Sequence, residues 1–208
     1  MKKLSLRDWL LIIFFLAFAF RMIYMLVPDV NYFNDKLPVR FLAEEQISDD
    51  RTYTQLAYGV LKHGFPAKKD TFSMYAGFLY PYIVAVNLSF SNNYIYLFIF
   101  QIILDSLTAV FIALIAYRLY GNLNIAVLAG LLYAFYYPNF IFPARVLTES
   151  SFTFLVVLSF FFLQKGISEK KVTQIFIFGA LLSVAALMKS MLFYVFFFIY
   201  FYLVFRAF

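Results

Sequence analysis

Seven apolar runs, each near the length that crosses a lipid bilayer, constrain this chain more than any other feature. A bilayer-spanning helix needs about 20 mostly apolar residues. The first run covers residues 9–27, and the others lie near 72–90, 94–119, 123–142, 147–164, 172–188 and 190–205. Only 13% of the residues are charged, which is too few to coat a soluble domain. The sequence therefore predicts an all-α, polytopic membrane helical bundle.

Composition removes several classes of function. The chain has no cysteine, which excludes disulfide scaffolds, thiol nucleophiles and cysteine-ligated metals. A single histidine, His63, excludes a histidine-rich metal site. The net charge of +6 is explained by the orientation of membrane spans. We therefore expect a lipid bilayer and no nucleic acid as partner.

Charge bias decides whether the run at 72–90 crosses the membrane. If it does not cross, eight Lys and Arg residues near the spans fall inside and two outside; if it crosses, the count is five to five. The positive-inside rule favours the first arrangement, with 72–90 as a re-entrant or interfacial segment. A single helix over residues 172–205 would be about 50 Å long, well beyond the roughly 30 Å thickness of the hydrocarbon core. A hairpin at 188–190 is therefore expected. This gives about six transmembrane helices with both termini inside.

The sequence predicts one membrane domain over residues 1–208. Residues 9–27 form the first span, as an uncleaved anchor. An outward loop at 28–93 carries amphipathic interfacial helices, and 94–208 contain the remaining spans.

One helix is predicted clearly within the outward loop. Ser48 is a suitable N-cap, and Gly64 with the following Pro66 ends the helix. Its apolar face repeats at helical spacing, and we expect this face to lie on the outer membrane surface. The residues of that face are Tyr53, Leu56, Ala57, Val60 and Leu61.

Two adjacent acids, Asp49 and Asp50, begin this helix. Acids in a first turn often do no more than complement the helix dipole. The functional alternative is a carboxylate pair that accepts a proton or holds a divalent cation. A helix N-terminus lowers the pKa of a carboxylate, which weakens it as a base.

Five ionisable residues lie within or beside apolar runs: Arg21, Asp105, Arg145, Glu149 and Lys189. In the six-span topology all five fall in the outward half of the membrane, on the same side as the acidic pair. Embedded charges usually face a bundle interior or a wet cavity, so a shared polar cavity is predicted. Simpler roles are open: Arg21 and Lys189 could reach lipid headgroups, and Arg145 could pair with Glu149 one turn away.

The order of these segments resembles a known family. SDDRTYTQLAYGVLKHG followed by GFLYPYIVAV, then QIILDSLTAVFIALIAYRLYG, YAFYYPNFIFPARVLTESSFTFL and ALMKSMLFYV are similar to segments of polyprenyl-phosphate-sugar glycosyltransferases. These enzymes belong to the GT-C superfamily and include protein mannosyltransferases and aminoarabinose transferases. Ser190 stands where the family usually has Pro or Thr. Family members are usually longer, so the resemblance implies an amino-terminal portion completed by a carboxy-terminal half or a partner subunit.

The resemblance also implies roles for individual residues. Asp49 matches the family's catalytic acid position, and Asp50 would orient the acceptor or help to hold a divalent metal. The cations expected to bind the donor phosphate are Lys189, Arg145 and Arg21. Glu149, Asp105 and Tyr53 would contact the acceptor or support the site.

The implied reaction is a single inverting displacement. It moves a sugar from a polyprenyl-phosphate donor to a hydroxyl of a glycan, lipid or protein, on the outer face of a bacterial cytoplasmic membrane. Two other readings are a small transporter or flippase with a path through Asp105, Glu149 and Lys189, and a non-catalytic truncated glycosyltransferase module. The sequence shows no internal symmetry of the kind common in transporters.

Overall fold

The computed structural model describes residues 4–26, 49–68, 71–72, 77–91, 93–189, 191–192 and 194. Its helices are α1 Leu6–Leu26, α2 Asp49–His63, α3 Tyr80–Phe90, α4 Ile95–Tyr120, α5 Leu123–Ala134, α6 Pro138–Ile141, α7 Glu149–Glu169 and α8 Val172–Met188. A short 3-10 turn covers Phe142–Ala144, and strands β1 (Ala67–Lys68) and β2 (Thr71–Phe72) form a minimal antiparallel ladder. The predicted all-α membrane bundle is confirmed.

The part of the chain that the structure describes contains three or four candidate spans, fewer than the six predicted. Within the described residues, α1, α4 and α7 are long and apolar enough to cross a membrane. Helix α5 and residues Pro138–Ala144 make a fourth span only if counted together, because they are bent by 61°. Helix α8, with 17 residues, is shorter than the others, and most of the run at 190–205 lies outside the described residues. Apolar length alone overlooked the break before Pro138.

The run at 72–90 contains a helix of only 11 residues, α3. It rises about 16 Å, roughly half of the hydrocarbon thickness, which fits the prediction that this run does not cross. The residues before it dock on the end of α8: the backbone N–H groups of Phe78 and Leu79 donate to the Leu187 carbonyl at 2.8 and 3.1 Å. The segment before α3 therefore shares the end of the bundle at which α8 terminates.

Small side chains allow the first, fourth and fifth helices to approach closely. A buried cluster contains Ala17 of α1, Ala109 and Ala113 of α4 and Ala134 of α5. A Cβ on Gly130 would lie 3.0 Å from the Ala113 methyl group. Membrane helices pack through such small residues because lipid provides little hydrophobic drive for their association.

Consecutive long helices alternate in direction and so define two ends of the bundle. We call the end at which α1 and α8 finish and α4 and α7 begin the site end. At the opposite end, Arg118 donates to Glu169 at 3.4 Å. The left-handed Gly121 ends α4 there, and the Asn122 side chain caps α5. The ends thus carry different groups of polar residues.

Helix α2 has the predicted bounds and ends before Gly64, whose φ is +80°. The proposed cap, Ser48, lies outside the described residues. Tyr53, Leu56 and Ala57 of the predicted apolar face are buried, whereas Leu61 is exposed. The buried face packs against α3, so contact with protein replaces the expected contact with the membrane surface. This packing fixes the acidic end of α2 relative to the bundle.

Candidate functional site

The two acids of α2 occupy different environments. Asp50 is buried and forms an ion pair with Arg145, whereas Asp49 is exposed. Burial raises the pKa of Asp50, and the Arg145 guanidinium and the backbone N–H of Val146 oppose that rise. The carboxylate of Asp50 therefore pairs with Arg145, whereas the carboxylate of Asp49 is open to solvent.

A second ion pair joins the start of α7 to the end of α8. Lys189 Nζ donates to Glu149 Oε1 at 2.8 Å and lies 5.9 Å from the centre of the Phe152 ring. Helix α8 ends at Met188 and Lys189 is extended, so the break predicted at 188–190 begins where expected. The first residue of α7 is Glu149.

Tyr53 lies near the start of α7. Burial raises the pKa of Tyr53 to about 12, and the Thr148 side chain, next to Glu149, opposes that rise. The negative charges of Glu149 and Asp49 add to the rise. Both acids therefore lie close enough to Tyr53 to act on it electrostatically. The structure thus brings together Asp49, Asp50, Tyr53, Arg145, Glu149 and Lys189 at the site end.

Neither cation is sealed from solvent. The Arg145 side chain is 36% exposed and that of Lys189 is 35% exposed. Each is held by a carboxylate and retains an open face. A negatively charged ligand could therefore approach both, and in a partly desolvated site such charge-assisted contacts are strong. The alternative pairing of Arg145 with Glu149 is wrong, because each has its partner on another element.

The remaining two embedded charges form a separate, closed cluster. Arg21 donates to Asp105, to the Ala17 carbonyl at 2.9 Å and to the Ala134 carbonyl at 3.3 Å. Tyr133 donates to the second Asp105 oxygen at 2.7 Å. The Arg21 side chain is 0% exposed, so it does not reach a headgroup. The structure does not bring Arg21 or Asp105 to the open ion pairs.

Two residues that support Arg145 escaped the sequence analysis, Gln101 and Tyr80. Gln101 Nε2 donates to the carbonyls of Pro143 and Arg145, and Tyr80 donates to Gln101 Oε1. Gln101 lies one helical turn before Asp105 on an apolar helix, and that i, i+4 polar pair was the signal available in the sequence. Polar residues at this depth require partners.

Among the described residues, the acidic pair is not part of a larger group of metal ligands. The described part of the chain contains no group of three or more His, Asp or Glu side chains placed to bind a metal ion. Divalent cations such as calcium take six to eight oxygen ligands, and Asp50 is already committed to Arg145. The arrangement supplies carboxylate–cation pairs in place of a cage of carboxylates, and we assign no step to a metal.

The long apolar helices and the polar site at one end identify an integral membrane protein, and comparison with known proteins places it in a family. The model of the family described as dolichyl-phosphate-mannose-protein mannosyltransferase matches residues 11–208. No curated protein and no solved structure matches the chain. The matched range covers nearly the whole sequence and all six residues gathered at the site end. The chain therefore belongs to the dolichyl-phosphate-mannose-protein mannosyltransferase family, a GT-C glycosyltransferase family.

Proposed function

We propose that the protein transfers a sugar from a polyprenyl-phosphate donor to an acceptor hydroxyl on the outer face of the membrane, with inversion at the anomeric carbon. One observation carries this proposal: two partly exposed ion pairs, Asp50–Arg145 and Glu149–Lys189, lie at the same end of the bundle as Tyr53 and the exposed Asp49. Membership of the mannosyltransferase family supports a lipid-phosphate sugar as donor.

Arg145 and Lys189 are the proposed ligands of the donor phosphate. Bond cleavage leaves negative charge on that phosphate, and fixed cations in a partly desolvated site stabilise it. Asp50 and Glu149 hold the two cations in place before the donor binds. Arg21 was also expected to bind phosphate, but its complete burial against Asp105 favours a structural role.

Asp49 is the proposed general base. Its exposure lets an acceptor hydroxyl approach, whereas Asp50 is occupied by Arg145. In the reaction, Asp49 accepts the hydroxyl proton and the acceptor oxygen bonds to the anomeric carbon. The bond from that carbon to the phosphate oxygen breaks, and polyprenyl phosphate leaves against Arg145 and Lys189. Tyr53 and Glu149 line the path of the acceptor.

Charge distribution supports an outward-facing site. The opposite end of the bundle carries the cations Arg118, Lys165, Lys170 and Lys171. Cytoplasmic loops are rich in Lys and Arg, so that end is proposed to face the cytoplasm. The site end then faces out, where a lipid-linked donor replaces a nucleotide sugar.

The test is the substitution Asp49→Asn in the full chain, reconstituted with radiolabelled polyprenyl-phosphate mannose and a panel of acceptors. We expect the wild type to transfer label, and the variant to insert normally but lose transfer. Glu169→Gln, which removes a carboxylate at the opposite end, is the matched control and should remain active. Transfer by Asp49→Asn near the wild-type rate would refute the base assignment.

Three further readouts test the remaining parts of the proposal. A product with the donor's anomeric configuration would contradict a single inverting displacement. Uptake of intact donor into vesicles without transfer would favour a flippase. Labelling of single-cysteine variants at positions 49 and 189 from the cytoplasmic side would contradict the outward orientation.

A further inference from the structure

Gln101 holds the backbone that carries Arg145, and it does so from within a membrane helix. Its side chain is 0% exposed. Nε2 donates to the Arg145 carbonyl at 2.8 Å and to the Pro143 carbonyl at 3.1 Å, while Oε1 accepts from the Tyr80 hydroxyl at 2.6 Å. Both amide donors are therefore used, and neither serves the helix in which Gln101 lies.

The segment before Arg145 consists of two short helical pieces and not of one continuous helix. Residues 138–144 form one short helix and a 3-10 turn after a bend of 61°. Arg145 is extended, with φ −135° and ψ 160°. Its carbonyl also accepts from the Leu147 N–H at 2.9 Å. Buried carbonyls at a helix break need partners, and Gln101 provides one for both Pro143 and Arg145.

The same amide is itself fixed from the side of α2. Tyr80 is fully buried, and its ring meets Tyr53 edge-to-face, with centroids 4.9 Å apart. Tyr53 follows the two acids on α2 by one turn. Gln101 thus lies between Arg145 and the aromatic pair that seats the acidic helix.

We infer that Gln101 is a positioning residue for donor binding: it sets the backbone of Arg145 so that the guanidinium meets both Asp50 and the donor phosphate. This inference rests on the proposed function and adds a specific determinant of donor affinity. A displacement of about 1 Å in a binding group can cost as much as a hundredfold in rate. Removing two donated hydrogen bonds from this segment is expected to move Arg145 by such an amount.

The experiment compares Gln101→Met with wild type in lipid nanodiscs. Methionine keeps the length and flexibility of the side chain but forms none of the three hydrogen bonds. We expect the Kd for polyprenyl phosphate and the KM for the lipid-linked sugar to rise about tenfold. The KM for the acceptor should stay within about twofold, because Asp49 keeps its place on α2.

Gln164→Met is the matched control. Gln164 Nε2 donates across to the Ile115 carbonyl of α4 at 3.3 Å, toward the opposite end of the bundle. The substitution removes one interhelical hydrogen bond. It should leave the Kd for polyprenyl phosphate and the KM for the lipid-linked sugar unchanged. Tyr80→Phe keeps both donations from Gln101 but removes the hydroxyl that fixes its amide, so we expect a smaller loss of donor affinity than in Gln101→Met.

Gln101→Asn keeps the amide but shortens the side chain by one methylene, and it decides the question if Gln101→Met does not fold. We expect an intermediate loss of donor affinity. Unchanged donor constants in a folded Gln101 variant, or an equal loss in Gln164→Met, would overturn the inference while leaving the proposed function intact. Failure of the wild type to bind polyprenyl phosphate would overturn both. Normal binding without transfer would count against the proposed function alone.

Discussion

The two groups of embedded charges use the same residue types with opposite degrees of enclosure. In one, Arg21 and Asp105 have side chains that are 0% and 3% exposed, and Tyr133 completes the cluster. In the other, Arg145 and Lys189 each keep about one third of their side chains open. A charge sealed among helices can only stabilise them, whereas one with an open face can bind a ligand. Enclosure therefore distinguishes the structural cluster from the one that we propose binds the donor.

The closed cluster also explains how the broken span is held. Arg21 donates to the carbonyl of Ala134, the last residue of α5. Gln101 donates to the carbonyls of Pro143 and Arg145 beyond the break. Asp105, which pairs with Arg21, and Gln101 are one turn apart on α4, so α1 and α4 together hold the segment between α5 and α7. The closed cluster thus supports the open one.

The largest expected effect comes from breaking the closed cluster. Arg21→Met leaves the buried Asp105 carboxylate without its cation, and we expect a loss of about 3–5 kcal/mol in stability. Unfolding in detergent measures this loss. The double variant Arg21→Met with Asp105→Leu should recover much of it, since apolar replacement of a whole buried pair is often neutral. A stable Arg21→Met protein with weakened donor binding would instead make Arg21 a phosphate ligand, as the sequence predicted.

Breaking the open cluster should lower activity strongly and stability only slightly. Lys189→Gln removes a cation proposed to face the donor phosphate, and kcat/KM for the donor should fall about a hundredfold. Stability should change by less than about 1 kcal/mol, because a partly exposed ion pair contributes little. Steady-state kinetics and unfolding on the same preparation measure both quantities. Full activity, or a stability loss as large as that of Arg21→Met, would remove the distinction between the clusters.

A substitution at Gly77 is expected to have a smaller effect. Gly77 packs against the backbone next to Lys189. A Cβ at this position would lie 2.1 Å from the Met188 carbonyl oxygen, and its φ is +88°. Gly77→Ala must therefore displace the backbone just before Lys189, and we expect about a tenfold loss of donor kcat/KM. Gly64→Ala is the matched control, since its φ is +80° but nothing lies within 4 Å of an added Cβ. Equal losses in both variants would show that backbone strain alone is responsible.

The sequence predicts the elements of this molecule better than their partners. Helix α2 follows from its apolar spacing and from Gly64, because these signals are local. The shared location of Asp49 and Lys189 at one end follows from alternating spans. The pairings do not follow, because Asp50 and Arg145 are 95 residues apart and Arg21 and Asp105 are 84 apart. No periodicity encodes which of several charges at one membrane depth will meet.

The break after α5 was missed for a related reason. Residues 123–142 contain no charged side chain, so their hydropathy predicts a single span. The bend depends on Pro138 together with carbonyl acceptors that find donors on α1 and α4. Because those donors are distant in the sequence, the bend depends on tertiary contacts, which local hydropathy does not encode.

The smallest predicted effect concerns pH and the buried member of the acidic pair. Burial raises the pKa of Asp50, so the folded protein holds this proton more tightly than the unfolded chain does. The stabilising contribution is then complete below the unfolded pKa of about 3.8 and is lost as pH rises through the raised value. Unfolding midpoints measured from acidic to neutral pH should fall less in Asp50→Asn than in wild type. Asp49→Asn retains the buried carboxyl and should keep the wild-type slope. A steeper fall in Asp50→Asn would mean that Arg145 outweighs burial and lowers the pKa of Asp50, which would make its carboxylate a permanent partner of the guanidinium.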